Sequence, residues 1–210
     1  HKFLGYNVIG VNHLGDWGTQ FGKMIVAIKK WGDKEKVDKD GIREIVRLYV
    51  KFHEEADNDD SLNDLARNWL LKMQEGDEEA LSIWKWLCSV SIKEFDAIYE
   101  RLHVTFDYFT GESFYNDKME PIVEELKEKK LLVESEGAQI VDLEPYNMPP
   151  CLILRSDGGT LYPTRDIAAA KYRMDTFNFH KCLYVTGLEQ TLHFAQWFKV
   201  VELMGYEWAK

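Results

Sequence analysis

A chain of 210 residues that is 45% hydrophobic can bury a real core, as one large domain or two small ones. Its formal net charge of -10 argues against a large nucleic-acid platform on this piece, since phosphate binding needs clustered Lys and Arg, but it leaves room for a cationic substrate. Three widely spaced cysteines (Cys88, Cys151, Cys182) imply no disulfide framework. No apolar run approaches the roughly 18 residues of a membrane span and no signal peptide is visible, so a cytoplasmic protein without a membrane partner is expected.

The chain opens on His1 to Tyr6, which reads as the last turn of a helix with a glycine stop at Gly5. Asn7 to Asn12 is short and β-branched, as in a buried parallel strand. The loop from His13 to Gly22 is dense in glycine and polar groups, and the C-terminal edge of an open α/β sheet is where ligands bind. His13 and Asp16 are therefore candidate active-site residues, although a His or Asp in such a loop is also an ordinary turn or cap residue. From Trp31 to Leu102 the pattern is helical, with apolar residues three and four apart in the sets Ile42 to Phe52, Leu62 to Met73 and Leu81 to Cys88. Ser91-Ile92-Lys93-Glu94 matches a capping box that would open a further helix. The acidic clusters of this region read as solvated helix ends, and Trp69 and Trp84 as core.

Val104 to Tyr108 predicts a second strand and Gly111 to Tyr115 the loop at its end. A helix over Lys118 to Lys130 follows, then a hairpin from Leu131 to Asp142 turning at Ser135 to Ala138. Cys151 to Arg155 should pair with Thr160 to Tyr162 across an Asp157-Gly158 turn. Pro163 keeps Tyr162 extended, Thr164 is a candidate N-cap, and Asp166 falls in the first turn of the next helix, where a negative charge is favoured. A phenol beside a carboxylate suits a cationic, planar guest, and a well-capped surface helix is the plainer alternative. Cys182 to Thr186 fits a central parallel strand, with Gly187-Leu188-Glu189-Gln190 at its C-terminal end and His193 one helical turn further on, facing the same mouth.

Asn12-His13-Leu14-Gly15-Asp16-Trp17-Gly18-Thr19-Gln20-Phe21-Gly22 resembles the segment that follows the signature helix of arginyl-tRNA synthetases, in a bacterial-like spelling. The resemblance continues through Gly111 to Tyr115, Ser156 to Asp166, and Leu183 to Gln190 with His193-Phe194, so it spans nearly the whole chain. It implies an α/β fold: part of one Rossmann-like class I synthetase catalytic domain over 1–210, with a helical insertion at 36–102. A β-hairpin and connective segment would fill 131–155, and the core would be 1–35 with 103–130 and 156–210.

The resemblance also implies site residues. Arginine recognition falls to Tyr162, Asp166 and Gln190, nucleotide binding to Gly187, Glu189 and His193, and a further active-site loop to His13 and Asp16. The chemistry agrees: a guanidinium is a rigid planar fork that a carboxylate meets with two parallel bonds, whereas lysine is a point charge. The implied enzyme is an aminoacyl-tRNA synthetase, a ligase that converts L-arginine and ATP to arginyl-adenylate and transfers arginine to its tRNA. Magnesium is expected in the parent enzyme, with no metal site in this chain and tRNA held mainly by regions outside it. The family's His-Ile-Gly-His and Lys-Met-Ser-Lys-Ser type motifs are not in this sequence, so no catalytic residue is assigned and the piece alone is expected to lack catalysis. Pro163 departs from the small or aliphatic residue common in relatives, which bears on the placing of Tyr162 against Asp166. The alternatives are an arginine- or nucleotide-binding module without catalysis and a helical interaction module built on 36–102.

Overall fold

Apolar side chains at helical spacing dominate residues 19–102, and that stretch folds as α1 (Thr19–Trp31), α2 (Lys34–Asp40), α3 (Ile42–Ala56), α4 (Ser61–Glu75) and α5 (Glu78–Leu102) in the computed structural model, which describes residues 1–209. The described chain divides into two compact units, His1–Ser113 and Phe114–Lys210.

In the first unit parts of the predicted stripes converge: Phe52, Leu62, Ala66 and Leu87 are buried together with Val37 and Leu48, while Val46 on α3 and Leu65 on α4 are exposed. Acidic caps punctuate the helices. Asp33 accepts from the N–H groups of Glu35 and Lys36 at the head of α2, and Asp77 accepts from the N–H of Ala80 at 2.9 Å at the head of α5. Gly22 belongs to α1 rather than to the loop before it. A Cβ at Gly22 would lie 2.1 Å from the carbonyl oxygen of Ala66 on α4, so the missing side chain is what lets the two helices cross so closely. The expected break at Ser91 does not occur, and α5 runs unbroken for 25 residues. No Gly or Pro interrupts it, and the Ser91 hydroxyl donates to the Leu87 carbonyl at 3.1 Å, the four-back bond open to a serine within a helix.

β1 (Val11–Asn12) pairs in parallel with β2 (Tyr108–Phe109), Val11 opposite Tyr108. Both are shorter than the predicted strands at 7–12 and 104–108. Asp107 takes over where the ladder stops: its carboxylate accepts from the Gly10 N–H at 2.7 Å and its own N–H donates to the Gly10 carbonyl at 2.8 Å. This junction sets the loops after the two strands side by side.

The second unit holds α6 (Met119–Glu128), the antiparallel strands β3 (Leu132–Ser135), β4 (Ala138–Val141) and β5 (Cys151–Leu154) in that order, then α7 (Tyr162–Phe177) and α8 (Thr191–Leu203). The hairpin turn places Glu136 at φ 51° and Gly137 at φ 81°, the two positive values of a type I′ turn that suits the strand twist. Ile122 and Leu126 from α6, Val141 and Ile153 from the sheet, Ile167 and Ala170 from α7, and Trp197 and Val200 from α8 share one core. Cys182 to Thr186 is not a strand. A parallel strand draws its stability from neighbours on its edges, and this segment has no ladder partner among the described residues. Tyr184 still faces inward onto Phe194 and Trp197, while Leu183 and Val185 point out, Val185 being 97% exposed.

Candidate functional site

Two loop-to-helix junctions carry the residues singled out by sequence, one in each unit, and each is built differently.

In the second unit, β5 turns back at Asp157-Gly158, where Gly158 sits at φ 80° and the Arg155 N–H donates to the Gly159 carbonyl at 2.8 Å. The returning strand is reduced to a single bridge, Leu154 to Thr160, because α7 begins earlier than expected, at Tyr162 with Leu161 in the cap position. Pro163 is tolerated in the first turn, where its missing N–H would have had no partner in the helix. Thr164 is therefore not the N-cap. Its side chain is fully buried and donates to the Ile153 carbonyl at 2.8 Å, anchoring the head of α7 to β5. One consequence is geometric: Tyr162 and Asp166 stand four apart on a helix, hence on the same face one turn apart.

Asp166 is bonded to His193, Nε2 to Oδ2 at 2.6 Å, with the two side chains 21% and 24% exposed respectively. His193 lies in the first turn of α8, so this bond joins the heads of α7 and α8. The same turn begins with the short 3-10 segment Leu188–Gln190, held by the Gln190 N–H to the Gly187 carbonyl at 3.1 Å and the Thr191 hydroxyl to the Leu188 carbonyl at 2.6 Å. Tyr162 is 55% exposed and Gln190 is exposed, and among the described residues no hydrogen bond joins either side chain to Asp166. Gly187 has ordinary extended dihedrals, φ -67° and ψ 153°. The Glu189 carboxylate folds back to within 2.6 Å of where a Gly187 Cβ would sit, so glycine leaves that side chain its room.

In the first unit, Asp16 spans the loops after β1 and β2. Its Oδ1 accepts from the Ser113 N–H at 2.8 Å and its Oδ2 from the Ser113 hydroxyl at 2.7 Å. Gly111 is pressed against the same carboxylate, and a Cβ there would lie 2.5 Å from its carbon. Trp84, read from sequence as core alone, donates its indole N–H to the Asp16 carbonyl at 2.7 Å and packs edge-on against Trp17. His13 completes the junction through Nδ1 and the Thr110 carbonyl at 3.2 Å. A carbonyl only accepts, so Nδ1 carries the proton of this bond. The Ser113 and Trp84 contacts were not foreseen. The Gly111-Glu112-Ser113 loop was visible as a strand-end loop, but nothing in its spacing names the carboxylate it would hold.

Among the described residues no group of three or more His, Cys, Asp or Glu side chains is placed to hold a metal ion, and no helix is long and apolar enough to cross a membrane.

A short parallel strand pair, a long helical excursion and a helix pair joined at its heads accord with the class that the comparisons show. Residues 1–210 match the family described as tRNA synthetases class I (R), catalytic domain, and the chain belongs to that family. More particularly, it is 64% identical over 210 residues to the arginine–tRNA ligase of Alkaliphilus metalliredigens, covering 100% of this chain and 37% of that protein. It is 57% identical to that of Halothermothrix orenii, again over 100% of this chain and 37% of the relative. The crystal structure of arginyl-tRNA synthetase from Plasmodium falciparum aligns with a TM-score of 0.81 at 31% identity, covering 100% of this chain and 35% of the other. The Thermus thermophilus arginyl-tRNA synthetase structure shares the fold, with a TM-score of 0.58 at 22% identity over 82% of this chain and 30% of the other. The chain thus spans a little over a third of the length of the curated relatives it matches.

Proposed function

We propose that this chain is the arginine-recognising part of an arginine–tRNA ligase, with Asp166 as the carboxylate that receives the substrate guanidinium. The observation that carries the reading is the placing of Asp166. It is a partly exposed carboxylate on the same face of α7 as an exposed phenol, joined to the head of α8 where Gln190 lies. Tyr162 would meet the guanidinium through its oxygen or ring face, and Gln190 through its amide oxygen. A planar fork of donors meets this set with parallel bonds, a geometry that the three donors around the single nitrogen of a lysine ammonium do not reproduce.

ATP is the second substrate in this reading, and arginyl-adenylate and pyrophosphate are the products before transfer to tRNA. Of the three nucleotide candidates, Gly187 and Glu189 lie at the turn into α8 and are kept for the ribose, while His193 is engaged by Asp166. His13 and Asp16 belong to the strand-end loop, and Asp16 serves there by fixing the loop, since both its oxygens are engaged by Ser113. Such catalysis rests on aligning the arginine carboxylate with the α-phosphate and on electrostatic stabilisation, with little acid or base work for side chains. In this reading magnesium accompanies the phosphates of ATP.

The test is calorimetric titration of the full-length enzyme with arginine and with lysine, alongside Asp166→Asn. Arginine binding that is lost in the variant, with lysine silent throughout, supports the site. Equal affinity for arginine and lysine, or unchanged binding in Asp166→Asn, overturns it. Pyrophosphate exchange then separates an activating enzyme from a binding module.

A further inference from the structure

We propose that His193 is the positioning residue of the guanidinium site: it fixes the Asp166 carboxylate through one oxygen and ties arginine affinity to the second proton on its own ring. This rests on the reading that Asp166 receives the guanidinium.

The geometry supports positioning. The imidazole reaches Asp166 from a different helix, 27 residues on in sequence, and contacts Oδ2 alone. An ionised carboxylate offers about four acceptor positions, so one bond at Oδ2 leaves Oδ1 and the rest of Oδ2 for a two-pronged partner. The ring is set by an aromatic wall. It stands edge-on to Phe194, centroids 5.6 Å apart at 88°, and Phe194 packs in turn against Tyr184 and the buried Trp197. The bond to Asp166 and the ring contact with Phe194 together favour one orientation of the imidazole.

The chemistry supplies the coupling. An ionised carboxylate only accepts, so Nε2 carries the shared proton and the neutral ring has its second nitrogen unprotonated. In that form Asp166 is oriented and keeps its full charge for the cation. When Nδ1 also takes a proton the imidazolium cancels that charge, and an arriving guanidinium meets a neutralised pair. Histidine is the side chain whose ordinary titration lies nearest neutral pH. Arginine binding should therefore favour the singly protonated ring and release a proton wherever the imidazolium is populated. The other titratable or charged groups near the heads of these helices are Cys151 on β5, Tyr162 and Arg165 on α7, Glu189 ahead of α8 and Tyr184 on the aromatic wall; Lys171, Tyr172, Arg173 and Asp175 of α7 and Lys199 and Glu202 of α8 lie further along their helices. The buried Cys151 thiol is pushed up to about 12 by burial and by the Asp166 charge. A pH dependence arising from any of these groups survives removal of the imidazole.

The experiment uses the full-length enzyme and arginine as the probe, with affinity measured by calorimetry from roughly pH 5.5 to 8, the range over which an imidazole changes charge. It compares wild type, His193→Gln and His193→Ala, in buffers of differing ionisation enthalpy. Wild-type affinity should fall about tenfold toward the acid end, with a buffer-dependent binding heat that shows proton release. His193→Gln, whose amide can still donate to Asp166, should bind within about threefold of the wild-type value at pH 8 but lose both the pH slope and the buffer dependence. His193→Ala should be weaker by about tenfold at every pH, raising the arginine KM in pyrophosphate exchange and leaving the ATP KM in place.

A wild-type pH slope that persists in His193→Gln, or a His193→Ala variant that binds arginine as tightly as wild type or more tightly, overturns the proposal. The second outcome would make His193 a placeholder that the substrate must displace. Asp166→Asn distinguishes the two levels. If it binds arginine normally, the arginine site itself is wrong and this proposal falls with it. If it fails to bind while the His193 variants behave as wild type, only the positioning role is lost.

Discussion

Asp16 and Asp166 are both carboxylates at a junction between a loop and other secondary structure, yet they are held in opposite ways. Asp16 is engaged at both oxygens: a backbone N–H on one, a hydroxyl on the other, and a glycine whose missing side chain gives the carboxylate its place. Asp166 has one recorded partner, an imidazole, and stays 21% exposed on a helix face shared with an exposed phenol. The first arrangement engages both oxygens from a single residue of the neighbouring loop and so holds two loops together. The second keeps acceptors open and couples them to a titratable group. The kind and number of partners, more than burial, separates the two, and the proposed guanidinium site rests on that difference.

The strongest way to break this contrast is to neutralise each carboxylate in the full-length enzyme and measure both binding and stability. Asp166→Asn should weaken arginine binding by about a hundredfold or more, the order expected for losing one partner of a desolvated charge pair, with the unfolding midpoint nearly unchanged. Asp16→Ala should do the reverse. It leaves the Ser113 N–H and hydroxyl without their acceptor, at a cost of about 2 kcal/mol in urea unfolding. If Asp16→Ala is as stable as wild type, the lock described for the first unit is wrong. Gly111→Ala attacks the same lock from the other side. Its Cβ would sit 2.5 to 2.6 Å from the carboxylate atoms, so it should cost about 1–2 kcal/mol and add little to Asp16→Ala in the double variant.

A smaller effect is expected at the back of the lock. Trp84→Phe keeps an aromatic ring near Trp17 but removes the donor to the Asp16 carbonyl, so it should cost about 1 kcal/mol and shift the fluorescence of Trp17. A loss near zero would mean the helical region supports the Asp16 loop by packing alone.

Much of this was legible in the sequence, and the failures share a cause. Periodicity marked the helices between residues 31 and 102, and the turn residues Ser135 to Ala138 between two short runs marked the hairpin, because both signals are local. Residue types at strand ends also picked out Asp16, Asp166 and His193. What was not legible is how side chains pair across elements. The bond from Trp84 to Asp16 crosses 68 residues, that from Ser113 to Asp16 crosses 97, and that from His193 to Asp166 crosses 27. Spacing says which face of a helix a residue occupies and nothing about which element that face will meet. Local signals also misled where a competing partner won. Thr164 took a buried carbonyl on β5 in preference to the head of its own helix, and Ser91 took the carbonyl four residues back and left α5 unbroken.

Glu44 is a third case that sharpens the contrast, with the smallest expected effect. Its carboxylate is 4% exposed on α3 and is met at both oxygens by Arg47, Nε at 2.7 Å and Nη2 at 2.5 Å, three residues along the same helix. The hydrogen bonds from Arg47 hold Glu44 below its ordinary value of 4.5, with burial opposing them. A carboxyl held lower in the folded state than in the unfolded one stabilises the fold above that ordinary value. The contribution is lost as pH falls through the lowered value. Glu44→Gln should therefore shift urea midpoints slightly at neutral pH and flatten their decline on the acid side, with arginine binding unaffected. If the acid slope is the same in the variant, the Arg47 pair contributes nothing to stability. Glu44 would then resemble the exposed ion pairs of this chain, such as Lys127 with Glu124, whose partners are each about half exposed and whose attraction water largely screens.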